Sequence, residues 1–362
     1  MGRVRRININ LWSGCLVLVL LNITSIDKGD AELKMEKEEK AMFVFGDSIF
    51  DPGNIVYVKG REKWLESLHW PYGETYFKHP TGRFSDGRIV PDFIATLAGL
   101  PMLSPYLQPH PTPFTYGANF AAGGVGVIVG QINLPTQLNY LKQVVKSLKQ
   151  ELGDRGAKRI LEKAVYLFSF GGNDYLNFHS QNPNSTKSER RIYIDLVIGN
   201  LTNGIKAVYS VGGRKFAYLN IMPIGCAPIS RVVSSGACEQ ELMEMAREHN
   251  KAFSKALKKL ERELPGFRYS IFDYYKSIID RIKHPYKYGL KESKTACCGV
   301  GPFRRSGCGE NRTFEVCSEP FEYLWFDQGH PTEKVNLQIA DLIWSGPPNL
   351  CAPYNVKTLF GY

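Results

Sequence analysis

The chain has 362 residues, of which 43% are hydrophobic and 12% are aromatic. This length and composition exclude an intrinsically disordered protein and allow one large domain or two ordinary ones. The formal net charge of +10 could favour acidic polymers or membrane surfaces, but basic and acidic residues are interspersed and nucleic-acid-binding motifs are missing. We therefore expect a solvated basic surface and no nucleic-acid partner.

The amino-terminal residues have the order of a secretory signal peptide. Three arginines within the first six residues precede an apolar run from Leu11 to Leu21, and small and polar residues follow. The run is too short to span a bilayer comfortably, and no other apolar stretch reaches about 18 residues. We predict a signal peptide at residues 1–29, a charged flexible lead-in at residues 30–40, and a secreted protein without a transmembrane segment. Cleavage near Gly29 would remove four basic residues and one acidic residue, so the net charge would fall from +10 to +7.

The folded domain is predicted at residues 41–362 and begins with a short apolar run, Met42 to Phe45. Gly46, Asp47 and Ser48 follow, which predicts a buried strand that ends in a sharp turn. Ligands of open α/β sheets bind outside the carboxyl ends of the strands, so Ser48 is a candidate nucleophile. Taken alone, however, a serine after Gly-Asp is more often a turn residue or a helix cap.

Amphipathic helices are predicted where apolar residues recur every three or four positions. These segments are Ile89–Leu97, Thr136–Leu152, Leu196–Val208, Leu242–Leu260 and Val335–Ile343. We expect the first helix to be capped by Ser85 or Asp86 and to end at Gly99. His249 lies on an apolar helical face, where a core histidine is more common than a ligand.

Strands buried on both faces are predicted by short, nearly continuous apolar runs between these helices. The runs are Val165–Phe170, Phe216–Ile221 and Tyr269–Phe272. The alternation of strand and helix predicts an α/β fold with a parallel sheet between helices. No repeat or linker in the sequence indicates a second folded domain.

Eight cysteines are present, and Cys15 falls in the predicted signal peptide, so seven would remain. In an oxidising compartment we expect disulfide bonds, and one cysteine must be left over. A local bridge is expected between Cys226 and Cys238, and Cys351 is the expected free thiol. Two further bridges are expected, in a connectivity that the spacing does not settle, among Cys297, Cys298, Cys308 and Cys317. Zinc binding is the alternative for this cluster, but adjacent cysteines are awkward ligands for a tetrahedral site, and we predict no metal.

Sequence blocks along nearly the whole predicted domain match the signatures of one enzyme family in their order. They are MFVFGDSIFDPGN (Met42–Asn54), WPYGETYF (Trp70–Phe77), GRFSDGRIVPDF (Gly82–Phe93), GANFAAGGVG (Gly117–Gly126), GGND (Gly171–Asp174) and DQGHPTE (Asp327–Glu333). The chain resembles the GDSL esterase/lipase family of the SGNH hydrolase superfamily, in particular its plant secreted branch. Ile49 stands where the motif name has Leu, which keeps a buried aliphatic side chain. The resemblance implies a single-domain, three-layer α/β/α sandwich with a central, mainly parallel sheet.

The resemblance makes Ser48 the expected nucleophile of an ester hydrolase. A serine hydroxyl attacks a carbonyl only if a neighbouring base takes its proton and an acid orients that base. Asp327 and His330 lie three residues apart, just before the last predicted helix, and can supply both functions. The family normally has Trp directly before this Asp, whereas Phe326 follows Trp325 here. That difference can alter the shape of the pocket but leaves both Asp327 and His330 present.

The resemblance also implies three hydrogen-bond donors for the oxyanion of the tetrahedral intermediate. They are the backbone N–H of Ser48, a backbone N–H of the AAGG turn, which we assign to Gly123 to within one residue, and the side-chain amide of Asn173. Ala122 stands where the family commonly has Ser, which affects local hydrogen bonding but removes no catalytic group.

Two carboxylates, Asp47 and Asp51, flank the candidate nucleophile and could be taken for the acid pair of a glycosidase. We instead expect Asp47 to fix the turn that carries the serine. A G-x-S-x-G nucleophile elbow is absent from the sequence, which disfavours the α/β-hydrolase fold.

The sequence therefore predicts a secreted carboxylic ester hydrolase that needs no metal or cofactor. Its substrate could be a lipid, a wall ester or a small ester, because a fold does not determine a substrate. Two alternatives stay open: an acyltransferase that uses the same acyl-enzyme, and a catalytically silent binding or scaffold protein. Sequons at Asn184, Asn200 and Asn311 agree with secretion, and the sequence does not indicate the oligomeric state.

Overall fold

The computed structural model describes residues 40–58, 66–310 and 313–362. The predicted signal peptide, nearly all of the lead-in and the sequon residue Asn311 lie outside the described residues. The strands are β1 (Met42–Gly46), β2 (Gly117–Asn119), β3 (Val165–Ser169), β4 (Lys215–Leu219), β5 (Arg268–Phe272), β6 (Cys298–Gly299), β7 (Glu315–Val316) and β8 (Cys351–Pro353). The helices are α1 (Val90–Ala98), α2 (Leu134–Lys163), α3 (Gly172–Gln181), α4 (Lys187–Ser210), α5 (Pro228–Arg231), α6 (Gln240–Glu263), α7 (Tyr274–Lys283), α8 (Glu333–Ser345) and α9 (Val356–Phe360). None of the helices in the described ranges is both long and apolar enough to cross a membrane.

A six-stranded sheet with the order β2-β1-β3-β4-β5-β8 forms the centre of the fold. The first five strands in this order are parallel, and β8 pairs with β5 in the antiparallel direction. Every residue of β1 and β3 is buried, as expected for strands that are covered on both faces. The mainly parallel sheet predicted from the alternation of strands and helices is confirmed.

Helices cover both faces of this sheet, and the side chains of β1 show the division. Phe43 and Phe45 lie in a core with apolar residues of α2, α4 and α6. Met42 and Val44 lie in a second core with residues of α1, α7, α8 and α9. Because successive side chains of a strand point to opposite faces, the two cores lie on opposite sides of the sheet. The predicted single-domain α/β/α sandwich is confirmed.

The strand order reverses at β1, and this reversal positions the candidate site. The chain passes from β1 to β2 on one side and then returns to β3 on the other side of β1. At such a reversal, the loops that follow the two neighbouring strands leave a crevice at the carboxyl edge of the sheet. The segments that follow β1 and β3 contain Ser48 and Asn173, so both residues belong to this edge.

The predicted cap of the first helix is wrong. α1 begins at Val90, and the carboxylate of Asp92 in its first turn accepts the backbone N–H of Ile89, the residue before the helix, at 2.9 Å. Ser85 and Asp86 bind the start of α8 instead: Asp86 accepts the N–H of Glu333 at 2.8 Å, and Ser85 donates to a carbonyl just before that helix at 3.1 Å. Asp86 therefore satisfies a free N–H of a helix 247 residues away, which a local capping pattern cannot indicate.

Other element boundaries follow local backbone chemistry. Gly99 ends α1 with φ at 74°, as predicted. The second predicted helix ends next to Gly153, where φ of 71° interrupts the helical geometry before α2 continues to Lys163. The sequence did not predict α3, because Gly, Asn and Asp at its start are typical of turns. It also did not predict α7 or the short edge strands β2 and β8.

Disulfide bonds join Cys226 to Cys238, Cys297 to Cys317 and Cys298 to Cys308. The predicted local bridge and the two bridges within the four-cysteine cluster are confirmed, and the structure supplies the connectivity. The N–H groups of Cys297 and Cys298 donate to the carbonyls of Trp325 and Phe326 at 2.9 and 2.8 Å. The bridged segment thus holds the residues that lead into Asp327. Cys351 is the free cysteine, as predicted, and its side chain is buried.

We expect Cys351 to react with thiol reagents only after unfolding. Its side chain is buried, and burial raises its pKa to about 12, so the reactive thiolate is scarce in the folded protein. Alkylation of the native and the denatured mature protein, followed by non-reducing peptide mapping, measures this accessibility and the pairing together. Rapid labelling of Cys351 in the native protein, or a bridge between Cys297 and Cys308, would contradict the structure.

Candidate active site

Ser48 lies in the turn after β1, and hydrogen bonds hold both ends of that turn. The carboxylate of Asp47 accepts the N–H of Ile49 at 3.0 Å, so Asp47 fixes the turn as predicted. The side chain of Gln137 on α2 accepts the N–H of Gly46 at 3.0 Å and donates to its carbonyl at 2.7 Å. The nucleophile candidate is therefore carried by backbone that is fixed on two sides.

The structure brings Ser48, His330 and Asp327 into one hydrogen-bonded series. Oγ of Ser48 lies 2.7 Å from Nε2 of His330, and Nδ1 of the same ring lies 2.7 and 2.8 Å from the two carboxylate oxygens of Asp327. The ring of Phe84 lies against the imidazole, with 4.9 Å between ring centres. In this arrangement the imidazole can accept the serine proton through one nitrogen while the other donates to the carboxylate.

Asp327 is 1% exposed and is surrounded by donors. The backbone N–H groups of Gly329 and His330 each donate to it at 2.9 Å, and the hydroxyl of Tyr72 donates at 2.8 Å. Burial by itself raises the pKa of this carboxyl, but the charge of His330 and these hydrogen bonds outweigh burial and lower the pKa below its ordinary value. Asp327 is therefore ionised and can stabilise a positively charged imidazole.

The pKa of His330 is raised above its ordinary value. Burial acts in the lowering direction, but the negative charge of Asp327 and its hydrogen bond favour the protonated ring, and Asp47 and Glu66 add to this effect. Burial is also the main cause that raises the pKa values of Asp47 and Glu66 to about 7. His330 thus accepts a proton more readily than a free histidine does.

The N–H of Gly123, to which the sequence analysis assigns the donor of the glycine turn to within one residue, is already hydrogen-bonded within the protein. It donates to the buried carboxylate of Asp51 at 2.7 Å. Within the part of the chain that the structure describes, the neighbouring N–H of Gly124 and the N–H of Ser48 have no hydrogen-bond partner. The free donor of the glycine turn is therefore Gly124, the residue next to the one predicted. Asp51 takes the N–H of Gly123 because a buried carboxylate is costly unless donors surround it.

Asn173 is the second residue of α3, and its side-chain amide faces the glycine loop. The amide nitrogen donates to the carbonyl of Val125 at 2.8 Å, which leaves its second N–H for the cavity. The next residue, Asp174, is fully buried and accepts the N–H groups of Val127 and Ile128 at 2.8 and 3.0 Å. The start of α3 therefore both presents an amide donor and holds the loop beside it.

Three residues of this site were not identified as such from the sequence. Tyr72, Asp51 and Asp174 lie inside the quoted blocks WPYGETYF, MFVFGDSIFDPGN and GGND, but only the fold shows what they bind. Phe326, which stands where the family has Trp, packs edge-on against the ring of Tyr72 at 5.1 Å. Phe326 therefore contacts the tyrosine that donates to Asp327.

A cavity of about 320 Å³, which we call the site cavity, opens over these groups. Ser48, His330, Gly124 and Asn173 line it together with the apolar side chains Ile49, Ile55, Phe84, Leu176, Met222 and Ile229. A small ester can therefore reach the hydroxyl and the free donors at once. Among the described residues, no group of three or more His, Cys, Asp or Glu side chains is placed to hold a metal ion.

Comparisons with known proteins show the family to which the chain belongs. The family model GDSL-like Lipase/Acylhydrolase matches residues 42–343. GDSL esterase/lipase 1 of Arabidopsis thaliana is 44% identical over 98% of this chain and 98% of its own length, and the GDSL lipase of Tanacetum cinerariifolium is 44% identical over 96% and 94%. The chain is also 35% identical, over 88% of its length and 74% of the relative, to a protein named Inactive GDSL esterase/lipase-like protein 25 of Arabidopsis thaliana. The chain thus belongs to the GDSL-like lipase/acylhydrolase family and is a carboxylic ester hydrolase of the plant GDSL esterase/lipase type.

Proposed function

We propose that the protein is a secreted serine esterase in which Ser48 is the nucleophile, His330 the general base and then acid, and Asp327 the residue that orients and stabilises His330. The observation that carries the proposal is the hydrogen-bonded series from Oγ of Ser48 through both nitrogens of His330 to Asp327. A serine in such a series loses its proton to the imidazole as it attacks.

The reaction then proceeds in two balanced halves. Oγ of Ser48 forms a bond to the ester carbonyl carbon while its proton passes to Nε2 of His330, and the carbonyl oxygen takes the negative charge. As the tetrahedral intermediate collapses, the bond to the alcohol oxygen breaks and His330 protonates that oxygen, which leaves an acyl-Ser48 enzyme. Water, deprotonated by His330, attacks the acyl carbon in the same way and releases the acid and the serine hydroxyl.

The oxyanion is proposed to accept hydrogen bonds from the N–H of Ser48, the N–H of Gly124 and the side-chain amide of Asn173. Support for this set comes from the cavity, which all three residues line, and from the commitment of the Gly123 N–H to Asp51. The buried side chains of Asp51 and Asp174 hold the loop after β2 through the N–H groups of Gly123 and Val127. The donors therefore need little reorganisation when the charge develops.

We also propose secretion and glycosylation at Asn184. Three disulfide bonds favour an oxidising compartment, and Asn184 is exposed in the connection between α3 and α4. Asn200 is a weaker candidate for glycosylation because it lies within α4 and its amide nitrogen donates a hydrogen bond to the carbonyl of Leu196 at 2.9 Å.

Covalent labelling tests the nucleophile. A fluorophosphonate should add one phosphonyl group to the peptide that carries Ser48, and Ser48→Ala should abolish both labelling and turnover of p-nitrophenyl acetate. Ser210→Ala, which changes an exposed serine on α4, is the matched control and should be labelled like the unaltered protein. Labelling that survives Ser48→Ala would exclude Ser48 as the nucleophile. A stable, correctly folded protein with neither labelling nor turnover would favour a silent family member.

Asn173→Ala tests the oxyanion donor. Loss of a donor that acts in the transition state should reduce kcat by roughly a hundredfold or more, about 3 kcal/mol, with KM within a few-fold. Asn139→Ala removes an exposed amide on α2 and should leave kcat unchanged. If Asn173 only supports the loop through Val125, the variant would instead melt at a lower temperature and keep near-native kcat while folded.

The pH dependence of kcat/KM tests the pairing of Asp327 with His330. The base must be neutral, so activity should be lost as the pH falls through the pKa of His330, which lies above its ordinary value of 6.5. Asp327→Asn removes the charge that raises this pKa, so the acid limb should move to lower pH while the rate falls roughly 10³–10⁴-fold. Asp341→Asn, at an exposed position of α8, should leave both unchanged. An acid limb that stays in place in Asp327→Asn would contradict the pairing.

A further inference from the structure

Glu66 is a charged residue of the site cavity that the proposed mechanism does not use. It lines this cavity together with Ser48 and His330. Its side chain is half-buried, and its negative charge contributes to the raised pKa of His330. A charge that acts on the imidazole in this way also acts on a bound substrate, so Glu66 is a candidate for substrate selection.

The backbone at Glu66 is held beside the Asp–His end of the cavity. Its carbonyl accepts the N–H of His69 at 3.0 Å. Gly309 packs so closely here that a Cβ atom at its position would lie 2.6 Å from the carbonyl oxygen of Glu66 and 3.1 Å from the ring of Tyr72. Tyr72 in turn donates to Asp327 at 2.8 Å. The position of Glu66 is therefore fixed relative to the proposed catalytic groups.

The carboxyl group of Glu66 is hydrogen-bonded to that of Glu310. Two carboxyl groups form such a bond only when one of them holds a proton, so the pair then carries one negative charge. The pKa of Glu66 is raised to about 7, mainly by burial and further by the negative charges of Asp327 and Glu310, whereas His330 acts in the lowering direction. Glu66 is therefore ionised at pH 8.

Negative groups dominate the charge of the site cavity. Among the described residues, no lysine or arginine lines it. Its titratable side chains are Asp47, Glu66 and His330, and Asp327 is hydrogen-bonded to the imidazole. The whole chain has a formal net charge of +10, so the sign of the cavity is opposite to that of the chain. Water screens charges less in a partly buried cavity than at an open surface, so a cation is favoured there and an anion is disfavoured.

The chemistry of ester cleavage determines which part of the substrate meets this charge. His330 protonates the alcohol oxygen, so the alcohol part must lie beside the imidazole, whereas the carbonyl oxygen must face Gly124 and Asn173. The charge of Glu66 acts on His330, and its backbone packs near the ring of Tyr72. The alcohol part is therefore the half of the ester that lies nearer to Glu66.

We propose that the enzyme prefers esters whose alcohol part carries a positive charge, and that Glu66 is the residue that selects them. This inference rests on the proposed function, because it uses the roles of Ser48 and His330. Glu66 is thus a specificity-determining residue for the alcohol part, and the acyl part is not affected by it.

A matched pair of esters tests the inference. The probes are 2-(trimethylammonio)ethyl acetate and 3,3-dimethylbutyl acetate, which have the same acyl group and the same shape but differ in charge. At pH 8 the unaltered protein should have a kcat/KM roughly tenfold higher for the charged ester. Glu66→Gln should lower this ratio, and Glu66→Lys should bring it below one, because it places a cation at the same position. Glu151→Gln and Glu151→Lys make the same changes at an exposed position of α2 and should keep the ratio of the unaltered protein.

The inference is overturned if the unaltered protein hydrolyses the two esters equally well or prefers the neutral one. It is also overturned if Glu66→Lys keeps the ratio of the unaltered protein. A variant that is only partly folded would lose turnover of both esters alike, so the ratio reports selection and not stability.

Failure of the proposed function has a different signature, namely no turnover of either ester and no phosphonyl group on Ser48. Binding then tests Glu66 without catalysis. Calorimetry on Ser48→Ala should show tighter binding of the charged ester than of the neutral one, and this difference should vanish when Glu66→Lys is added. A difference that persists in the double variant would exclude Glu66 as the selecting residue.

Discussion

The site depends on the hydrogen bonds that the buried carboxylate of Asp51 accepts from two segments of the backbone. It accepts backbone N–H groups of Gly53, Asn54 and Ile55 in the segment after β1, and that of Gly123 in the loop after β2. A carboxylate that is fully buried is stable only when such donors surround it, so the two segments cannot separate without a large loss. The distance between the nucleophile and the glycine loop is thereby determined before any substrate binds.

Asp174 makes the corresponding connection from the neighbouring strand. It lies in the first turn of α3, after β3, and holds the same loop through Val127 and Ile128. The order of β2, β1 and β3 in the sheet brings these three strand ends together. Two buried carboxylates therefore join three loops, and the groups that we propose as oxyanion donors lie between them. Donors fixed in this way can stabilise developing charge without first having to reorganise.

Local patterns predicted some parts of this arrangement and could not predict others. Continuous apolar runs indicated β1 and β3 because burial on both faces requires them. The resemblance to the GDSL family predicted that Ser48, Asp327 and His330 belong to one site, and in the structure their side chains are hydrogen-bonded to one another. The hydrogen-bond partner of the Gly123 N–H could not be predicted from the sequence, because a backbone N–H carries no sequence signal and Asp51 lies 72 residues away. The contact of Tyr72 was not predicted either, because 255 residues separate it from Asp327 and no local pattern indicates a contact over that distance.

The structure of a phosphonylated protein would test the central claim most directly. If Asp51 holds the glycine loop in its reactive position, the phosphoryl oxygen on Ser48 should accept hydrogen bonds from the N–H groups of Ser48 and Gly124 and from the amide of Asn173. The N–H of Gly123 should still donate to Asp51. A phosphoryl oxygen bound to the N–H of Gly123, with Asp51 displaced, would contradict this account.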